Sequence, residues 1–384
     1  MIEYNSDILV PMTKTDICCI FNLGPLYRKP IYSLMDKELG CDFYLGDYAG
    51  TPIKKMDYHS LKGFKGELKY TLLSKFYRLK GTHKATLNSQ YKKYVAIGDS
   101  NCLSIWYLLF WSKFTRKKVV LWCHGWHSEV SWYWNILLKL FYGMASHVLL
   151  YGDYSRNFMI RKGISASKLS CIYNSLDYDK QLEVRSNLTS SSIYFDHFQN
   201  DYPVLLYIGR IQKRKRLDMI IEAMYLLRKR GVYTNFVCIG DNTEEIGLKD
   251  LIKQYGLQEC VWLYGPLYDE NKKGEMLYNA TVCVSPGNVG LTAMDALNFG
   301  LPIITNDDFS TQMPEYEAIQ SNQTGLFFRH GDVNDLASCI EQWFDIEKIK
   351  SRDFIRTQCY KIIDERYNPH YQIQVLKKVL GIKD

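Results

Sequence analysis

The chain lacks the sequence signs of several protein classes. Its 384 residues include 10 prolines and no low-complexity tract, so the composition is not that of a disordered or fibrous protein. The 11 cysteines include no Cys-x-x-Cys pair and no spacing typical of a zinc site. We therefore expect reduced cysteines in a cytoplasmic protein and not a disulfide scaffold.

The sequence also shows no pattern typical of a secretory signal or a membrane-spanning segment. The N-terminus, MIEYNSDILVPM, has no basic stretch followed by an apolar one, so we expect no secretory signal. The longest apolar tract, residues 130–151, is interrupted by Asn135, Lys139, Ser146 and His147, whereas a membrane span needs about 20 apolar residues. This tract predicts a buried helix followed by a strand.

What is present suits a folded α/β protein of two domains. The 47% hydrophobic and 23% charged residues are typical of globular proteins. The chain is longer than a domain with a single hydrophobic core usually is. Short apolar runs alternate with longer helical patterns, which predicts parallel sheets joined by crossover helices. The chain turns polar between residues 183 and 201, with the run EVRSNLTSSS, and we place the domain boundary there.

The predicted elements follow from these runs. In the first half, strands are predicted at 16–22, 94–97, 118–123, 147–151 and 169–173. In the second half, they are predicted at 204–208, 235–239, 261–264, 282–285, 302–305 and 325–328, with helices at 217–230 and 291–299.

The net charge of +7 is concentrated in one segment. Between Lys54 and Lys84 there are nine Lys and Arg residues against two acids. Apolar residues recur there at helical spacing, at Leu68, Leu72, Phe76 and Leu79. Three lysines flank that stripe, namely Lys69, Lys75 and Lys80. This pattern is typical of an interfacial helix on an anionic membrane surface, or else of a core-facing helix with a solvated basic rim.

A basic loop follows the predicted strand at 204–208. In open α/β sheets, ligands bind beyond the carboxyl ends of strands. The loop begins at Gly209 and carries five cations in the seven positions from Arg210 to Arg216. Such a cluster is suited to clamp a phosphate or a diphosphate, with Arg as a planar fork and Lys as a point charge. The alternative is a solvated basic loop.

A glycine-bearing loop, SPGNVGLT, follows the strand at 282–285 and begins a helix. Its two glycines allow a close approach of backbone to ligand, and free N–H groups at a helix start favour anions. Asp295 lies about one helical turn beyond Leu291, where a carboxylate would accept hydrogen bonds from sugar hydroxyls. The alternative is an ordinary tight turn.

His124 follows the strand at 118–123, and Trp126 beside it is suited to stack on a sugar or base. The alternative is a histidine satisfied in the core. His124 and His127 have no third ligand in the sequence, and Asp177-x-Asp179 is a weak pattern, so we expect no metal site.

Taken in order, these segments resemble the retaining glycosyltransferases of family 4, which have the two-domain fold called GT-B. The run YIGRIQKRKRLDMIIEA is similar to the family's Gly-Arg, four residues, Lys motif, which implies a diphosphate clamp on Arg210 and Lys215. The run CVSPGNVGLTAMDALNFGLPIIT is similar to the segment in which two glutamates bracket seven residues. Those positions hold Gly287 and Asp295 here, so the donor-sugar carboxylate is lost and the ribose carboxylate is shortened.

Weaker similarities extend the resemblance over nearly the whole chain. YGPLYDE resembles the turn at the donor base, IYNSLD a segment with Asn174 and Asp177, and NLGPLYRKP the first loop. WCHGW resembles the strand end whose histidine lies near the transferred sugar, which implies catalytic residues His124, Arg210 and Lys215. The implied donor site comprises Gly209, Tyr264, Leu267, Gly287, Asn288, Val289, Gly290, Leu291, Thr292 and Asp295. The implied acceptor or N-domain cleft comprises Gly24, Arg28, Trp126 and Asn174.

The resemblance implies two Rossmann-like domains facing across a cleft. We expect an acceptor domain at 1–195, a donor domain at 200–365, and a helix at 366–384 that packs back on the first domain. The Gly287 departure suggests a donor sugar altered where the carboxylate would reach, with the backbone amides of Asn288 to Gly290 compensating.

The implied activity is retaining transfer of a sugar from a nucleotide-diphosphate donor to a saccharide acceptor in bacterial surface polysaccharide synthesis. The expected acceptor is lipid-linked, and no cofactor, metal or nucleic acid is expected. The expected location is the cytoplasm, free or peripheral on the inner face of the membrane. The alternatives are a nucleotide-sugar epimerase of the same fold and a catalytically inactive sugar-binding module. The retained Arg210, Lys215 and Asp295 argue against the inactive module.

Overall fold

The computed structural model describes residues 15–50 and 53–382. The segment MIEYNSDILVPM, in which we expect no secretory signal, lies outside the described residues. None of the helices in these two ranges is both long enough and apolar enough to cross a bilayer. The 11 cysteines are free thiols, as expected.

The strands of the described residues alternate with helices. The strands are β1 Ile17–Phe21, β2 Asp42–Gly46, β3 Phe64–Leu73, β4 Phe76–Lys80, β5 Lys93–Ile97, β6 Lys118–Cys123, β7 His147–Leu150, β8 Leu169–Cys171, β9 Val204–Ile208, β10 Asn235–Ile239, β11 Val261–Gly265, β12 Val282–Ser285, β13 Ile303–Asn306 and β14 Gly325–Phe328.

The helices are α1 Lys29–Leu34, α2 Thr82–Leu87, α3 Leu103–Thr115, α4 Trp132–Met144, α5 Asp153–Arg161, α6 Tyr178–Ser186, α7 Ile193–Phe198, α8 Asp218–Lys229, α9 Leu248–Gln254, α10 Glu270–Asn279, α11 Thr292–Asn298, α12 Val333–Ile349, α13 Arg352–Arg366 and α14 Pro369–Leu380. A π-helical turn, Met35–Leu39, continues α1.

The strands form two sheets. The first has eight strands in the order β4-β3-β2-β1-β5-β6-β7-β8, and the second has six in the order β11-β10-β9-β12-β13-β14. Every residue of β1, β9 and β10 is buried, as expected of parallel strands covered on both faces by helices. The predicted class, an α/β fold with two parallel-sheet domains, is therefore confirmed.

The second sheet reverses its strand order between β9 and β12, which pair in parallel through Leu205 with Val282 and Leu206 with Cys283. In doubly wound sheets, loops diverge at such a point and leave a crevice for ligands. The two loops that the sequence singled out follow these two strands. The topology therefore positions the candidate site.

Two compact units divide the described residues. Unit 1 comprises residues 15–26, 32–50, 53–123 and 132–148, and unit 2 comprises residues 27–31, 124–131 and 149–382. In unit 2, α14 contacts the segment after β8, because Gln372 accepts a hydrogen bond from Ser175 Oγ and donates one to the Tyr173 carbonyl. The domain boundaries expected from the sequence stay predictions.

The helix predicted between Lys54 and Lys84 is wrong, because this segment forms the antiparallel strands β3 and β4. A spacing of four residues fits one face of a strand as well as one face of a helix. Ser74, in the left-handed region at φ 59°, turns the chain, so that Tyr70 pairs with Leu79 and Leu72 with Tyr77. Aromatic and β-branched residues then favour the strand.

The helix predicted from the tract at 130–151 exists as α4, but the prediction that it is buried is wrong. Leu138, Phe141 and Tyr142 face the core, whereas Trp132 and Ile136 are exposed. Apolar residues cover most of the circumference of the helix and leave only a narrow stripe with Asn135 and Lys139, so the sequence does not distinguish the solvent face from the core face.

Candidate functional site

The structure brings the two predicted binding loops of unit 2 together at the switch point. The Gly287 amide donates a hydrogen bond to the Lys215 carbonyl over 3.1 Å. In return, the Lys215 ammonium donates one to the Asn288 carbonyl over 2.5 Å. The hydroxyl of Thr292, the first residue of α11, donates to the Ile208 carbonyl at the end of β9 over 2.7 Å. These contacts fix the basic loop against the glycine loop.

Gly287 is required by close packing. A Cβ atom at this position would stand 2.2 Å from the Arg214 carbonyl oxygen and 2.8 Å from Lys215 Cα, distances that no real side chain tolerates. The glutamate of the family motif is thus replaced by a residue whose backbone touches the basic loop. At Gly290 the backbone conformation, and not close packing, favours glycine, because its φ of 54° lies in the left-handed region.

Buried polar residues after β13 hold the glycine loop from behind. Asn306 Nδ2 donates to the carbonyls of Pro286 and Gly287 over 2.8 and 3.0 Å. Gln312 Oε1 accepts the Val289 amide over 2.9 Å. Sequence reasoning missed both residues, and the only signal was a polar Thr-Asn pair at the end of an apolar strand. These hydrogen bonds fix the position of the glycine loop. They also satisfy buried polar groups that would be unfavourable without a partner.

Lys215 is buried, with 9% of its surface exposed. Burial, helped by the positive charges of Arg214 and Arg210, lowers the pKa of Lys215 to about 8. In the described part of the chain, Lys215 has no acidic partner within ion-pair distance. Glu315 favours the charge of Lys215 from beyond that distance. A buried ammonium without a direct ion pair is unfavourable, so this position is suited to an anionic ligand.

The other cations of the loop divide into engaged and unengaged groups. Arg214 donates to Gln212, and Arg216 forms an ion pair with Asp218 at 2.9 Å. Arg210 is exposed, and its guanidinium makes no hydrogen bond or ion pair with another described residue. Lys213 is exposed as well, and its ammonium makes no hydrogen bond or ion pair with another described residue. Arg210 and Lys215, the two cations of the family motif, are therefore among the cations whose charges are available to a ligand.

A buried carboxylate, Glu315, lies near this cluster. Asn174 Nδ2 donates to Glu315 Oε1 over 2.8 Å, whereas Oε2 is buried without a hydrogen-bond partner among the described residues. Burial raises the pKa of Glu315, while Asn174, Lys215 and Arg28 oppose that shift. Sequence reasoning missed Glu315, whose only signal was a Pro-Glu pair after a strand. It links Asn174 to the basic loop electrostatically.

Asp295 of α11 is already engaged within unit 2. Its Oδ1 accepts hydrogen bonds from Lys273 over 2.7 Å and from Gln181 over 2.8 Å, and Lys273 also pairs with Glu270 at 2.8 Å. Burial by itself would lower the pKa of Lys273. The negative charges of Asp295 and Glu270 outweigh burial and raise the pKa of Lys273. The ribose contact of Asp295 stays a prediction, and Lys273 is a partner that the sequence did not reveal.

The predicted base-binding turn follows β11. Tyr264, Leu267 and Leu291 are half-buried side chains that pack against the core of unit 2. Gly265 has a φ of 89°, and its carbonyl oxygen accepts a hydrogen bond from the Gly240 amide over 2.9 Å. The turn therefore adjoins the end of β10, and its contact with the donor base stays a prediction.

His124 lies beside Tyr151 and Arg28. The His124 and Tyr151 rings are 4.8 Å apart, and the Arg28 guanidinium stands 5.3 Å from the Tyr151 ring centre. The imidazole keeps contact with solvent, but surrounding protein atoms, then Arg28 and His127, lower the pKa of His124 to about 4. A neutral imidazole at pH 7 both donates and accepts a hydrogen bond.

The expectation that Trp126 stacks on a sugar or base is wrong. Only 3% of Trp126 is exposed, because its ring packs against Phe158 at 6.0 Å and its Nε1 donates to the Ser128 carbonyl. The preceding Gly125, at φ 77°, turns the chain inward. Trp126 thus supports the loop that carries His124.

Gly24 belongs to unit 1, where its amide donates to the Tyr58 hydroxyl over 2.8 Å. The two acids of the weak Asp177-x-Asp179 pattern have different surroundings. Asp177 immediately precedes α6, and Asp179 pairs with His370 at 2.6 Å. Within the two described ranges, no group of three or more His, Cys, Asp or Glu side chains is arranged to hold a metal ion.

Residues 193–360 match the family Glycosyl transferases group 1. The match covers less than half of the chain, and we refer to residues 193–360 as the group 1 segment. This segment contains Arg210, Lys215, Gly287, Asp295 and Glu315. Their partners Asn174 and Gln181 precede it. Family 4 in particular stays a prediction.

A curated relative extends the similarity to about half of the chain. The alpha-D-kanosaminyltransferase of Streptomyces kanamyceticus is 23% identical over 211 residues, which cover 54% of this chain and 53% of the relative. The chain thus spans about half the length of that relative.

Solved structures match nearly the whole chain. Alr3699/HepE of Anabaena in complex with UDP gives a TM-score of 0.70 at 15% identity, covering 96% of this chain and 100% of its own. The lipopolysaccharide outer core galactosyltransferase WaaB gives 0.68 at 15% identity, covering 95% and 99%. At this identity the likeness concerns the fold, which is the predicted GT-B class.

Proposed function

We propose that this chain is a glycosyltransferase that moves a sugar from a nucleotide-diphosphate donor to a saccharide acceptor. The observation that carries the proposal is the pair Arg210 and Lys215 in the group 1 segment. Both cations lie at the switch point of the second sheet, and neither is neutralised by a described acidic side chain at ion-pair distance. A diphosphate supplies the missing negative charge.

The chemistry follows from where charge develops. As the bond between sugar and diphosphate breaks, negative charge grows on the leaving diphosphate. Preorganised cations near that charge stabilise the transition state more than the ground state. Lys215 is held by the Asn288 carbonyl and needs no reorganisation during the reaction. Its partial burial strengthens its interaction with the diphosphate.

The transfer retains the anomeric configuration of the donor, as in the family 4 enzymes that the motifs resemble. The acceptor hydroxyl then attacks on the face from which the diphosphate leaves. In this scheme the neutral His124 contacts the transferred sugar by hydrogen bonding. The amides from Asn288 to Gly290 take the place of the carboxylate that Gly287 lacks, and the donor sugar is altered at the position that this carboxylate would contact.

The acceptor is a lipid-linked saccharide of bacterial surface polysaccharide synthesis. This part of the proposal is supported by the structural neighbour WaaB, which is a lipopolysaccharide outer core galactosyltransferase. The donor nucleotide is supported as a UDP-type ligand by the neighbour that was solved with UDP. We expect no cofactor beyond the nucleotide sugar.

The test is a transfer assay with a panel of UDP-, GDP- and dTDP-sugars and saccharide acceptors, read as nucleoside diphosphate release and product mass. We expect one donor class to turn over only when acceptor is present. NMR of the product should show the same anomeric configuration as the donor. Conversion of the donor to its epimer without acceptor would instead establish the epimerase alternative. No turnover or binding of any donor would contradict the proposal.

A further inference from the structure

Helices α3 and α4 of unit 1 lie side by side. The helix α3 connects β5 to β6, and α4 connects β6 to β7, which are successive strands of the first sheet. Right-handed connections along one direction of a sheet place both helices on the same face. Trp106 and Phe141 pack between them with ring centres 5.0 Å apart. Their outer sides therefore form one surface.

The helix α3 is apolar on both sides. Ile105, Leu108 and Leu109 are buried toward the sheet. On the opposite side, a second stripe at helical spacing is exposed, comprising Leu103, Tyr107, Phe110 and Phe114. Phe114 is 70% exposed. A solvated helix normally presents polar residues on this side, so the second stripe points to a function.

The helix α4 repeats this arrangement. Its exposed side carries Trp132, Tyr133, Ile136, Leu137 and Leu140, and Trp132 is 74% exposed. Together with the outer stripe of α3, these residues define the α3–α4 face. Clustered large apolar side chains on a surface mark an interaction site, because isolated ones are the norm on soluble proteins.

The charged residues within the two helices of the α3–α4 face are all positive. Neither helix contains an Asp or Glu residue, and Lys113 and Lys139 are exposed beside the two stripes. Arg116 ends α3 and is exposed. Lys75, at the tip of the hairpin, lies 5.1 Å from the ring centre of Trp134. An apolar face with this rim is complementary to a surface that is apolar and negatively charged.

We propose that the α3–α4 face binds the surface of an anionic lipid bilayer. Tryptophan and tyrosine are suited to the headgroup level, the aliphatic side chains and phenylalanines to the acyl boundary, and the cations to anionic headgroups. Each cation near such a surface strengthens binding about fivefold. A symmetric contact with a second copy would oppose Lys113 and Lys139 to identical charges, which disfavours that occupant.

The face replaces the predicted basic helix as the membrane-binding element. In the hairpin, Lys69 lies directly opposite Lys80, and both are exposed, but the neighbouring apolar residues Leu68 and Leu79 are buried. The hairpin exposes two large apolar residues near its turn, Leu72 and Leu73, against nine on the α3–α4 face. The hairpin cations provide a charge-matched control for the cations of the α3–α4 face.

The test is co-sedimentation of the full chain with vesicles of equal parts phosphatidylcholine and phosphatidylglycerol. Wild-type protein is expected to bind at low salt, more weakly at high salt, and poorly to phosphatidylcholine alone. The double variant Phe114→Ser/Trp132→Ser should bind at least about tenfold more weakly. The matched control, Ile349→Ser/Phe354→Ser, removes exposed apolar residues of unit 2, one of them 85% exposed, and should bind like wild type.

A second pair of variants separates the two basic regions. Lys113→Glu/Lys139→Glu should weaken binding at least about tenfold, and Lys69→Glu/Lys80→Glu, with the same change in net charge, should weaken it less. Equal losses in the two charge variants would overturn the assignment to the α3–α4 face. If wild-type protein does not co-sediment with anionic vesicles at low salt, the proposal itself is overturned.

Sedimentation velocity without lipid tests the second copy as an occupant. A wild-type dimer that Phe114→Ser/Trp132→Ser converts to a monomer would overturn the membrane assignment, and a wild-type monomer supports it. All variants should keep the wild-type circular dichroism, because the replaced side chains are exposed. Since binding is measured without donor sugar, its failure would not bear on the proposed transferase function, which the turnover assay tests separately.

Discussion

Gly287 and Lys215 lie backbone to backbone. The Gly287 amide donates to the Lys215 carbonyl over 3.1 Å, and a Cβ on Gly287 would stand 2.8 Å from Lys215 Cα. The residue that departs most from the family motif is therefore in contact with the cation to which we assign the diphosphate. The absence of a side chain at one position and the placement of the ammonium at the other are a single structural feature.

Gly287→Ala should displace the basic loop, because the new Cβ would clash with the Arg214 carbonyl oxygen at 2.2 Å. We expect about 1–3 kcal/mol lower stability from overpacking and at least about tenfold weaker nucleoside diphosphate binding. Thermal unfolding and calorimetry measure the two effects. Gly143→Ala, where a Cβ meets no atom within 4 Å, is the control. Unchanged diphosphate binding in Gly287→Ala would contradict the coupling.

Diphosphate affinity should fall as the pH rises through the pKa of Lys215, which is about 8 in the free protein. Above that pH the ammonium must regain a proton before it binds an anion, so the affinity should fall by about tenfold per pH unit. Titration calorimetry between pH 7 and pH 10 measures this slope. Lys215→Arg keeps its charge over this range and should remove the slope. An unchanged slope in that variant would assign the titration to another group.

Transfer should survive treatment with EDTA. Arg210 and Lys215 neutralise the diphosphate in this account, and a basic cluster performs the charge stabilisation that Mg²⁺ provides in other enzymes. Turnover is measured before and after chelation, with added Mg²⁺ or Mn²⁺ as the control. Complete loss on chelation and recovery with the metal would show that the two cations are insufficient.

Asp295→Asn should raise the donor KM by at least about tenfold if the carboxylate also reaches the ribose, because an amide offers one acceptor oxygen where a carboxylate offers two. The substitution also weakens the contact with Lys273, which lies 2.7 Å away. Lys273→Met is the matched variant, since it disturbs the same cluster but keeps Asp295. An equal rise in KM in both variants would make Asp295 a positioning residue for the cluster.

Elements with strong local signals were predictable. The runs that became β6, β9, β10, β12 and β14 were predicted with the observed bounds, because each is a short apolar run ended by a polar or turn residue. The strand β2 and the hairpin were missed or misassigned. In the hairpin, β4 alternates between more buried and exposed residues, and apolar residues at even spacing also satisfy a helical pattern in a short segment.

The site could be predicted only where its parts are close in sequence. The basic loop and the glycine loop were both found, since each follows a strand of the same sheet. Contacts between distant segments left no signal, as with Asn174 and Glu315, which are 141 residues apart, or Asp295 and Lys273. Trp126 was misjudged because one glycine, Gly125, decides which way the chain turns after β6.

The central claim is that Arg210 and Lys215 clamp the donor diphosphate, and titration calorimetry with UDP, GDP and dTDP tests it most directly. One of these nucleotides should bind the wild type, and Arg210→Ala and Lys215→Ala should each lose about 1.5–3 kcal/mol, the worth of a charge-assisted hydrogen bond. Lys213→Ala, which removes an exposed cation from the same loop, should bind like wild type. Wild-type affinity in the Arg210→Ala/Lys215→Ala double variant, with native circular dichroism, would contradict the account.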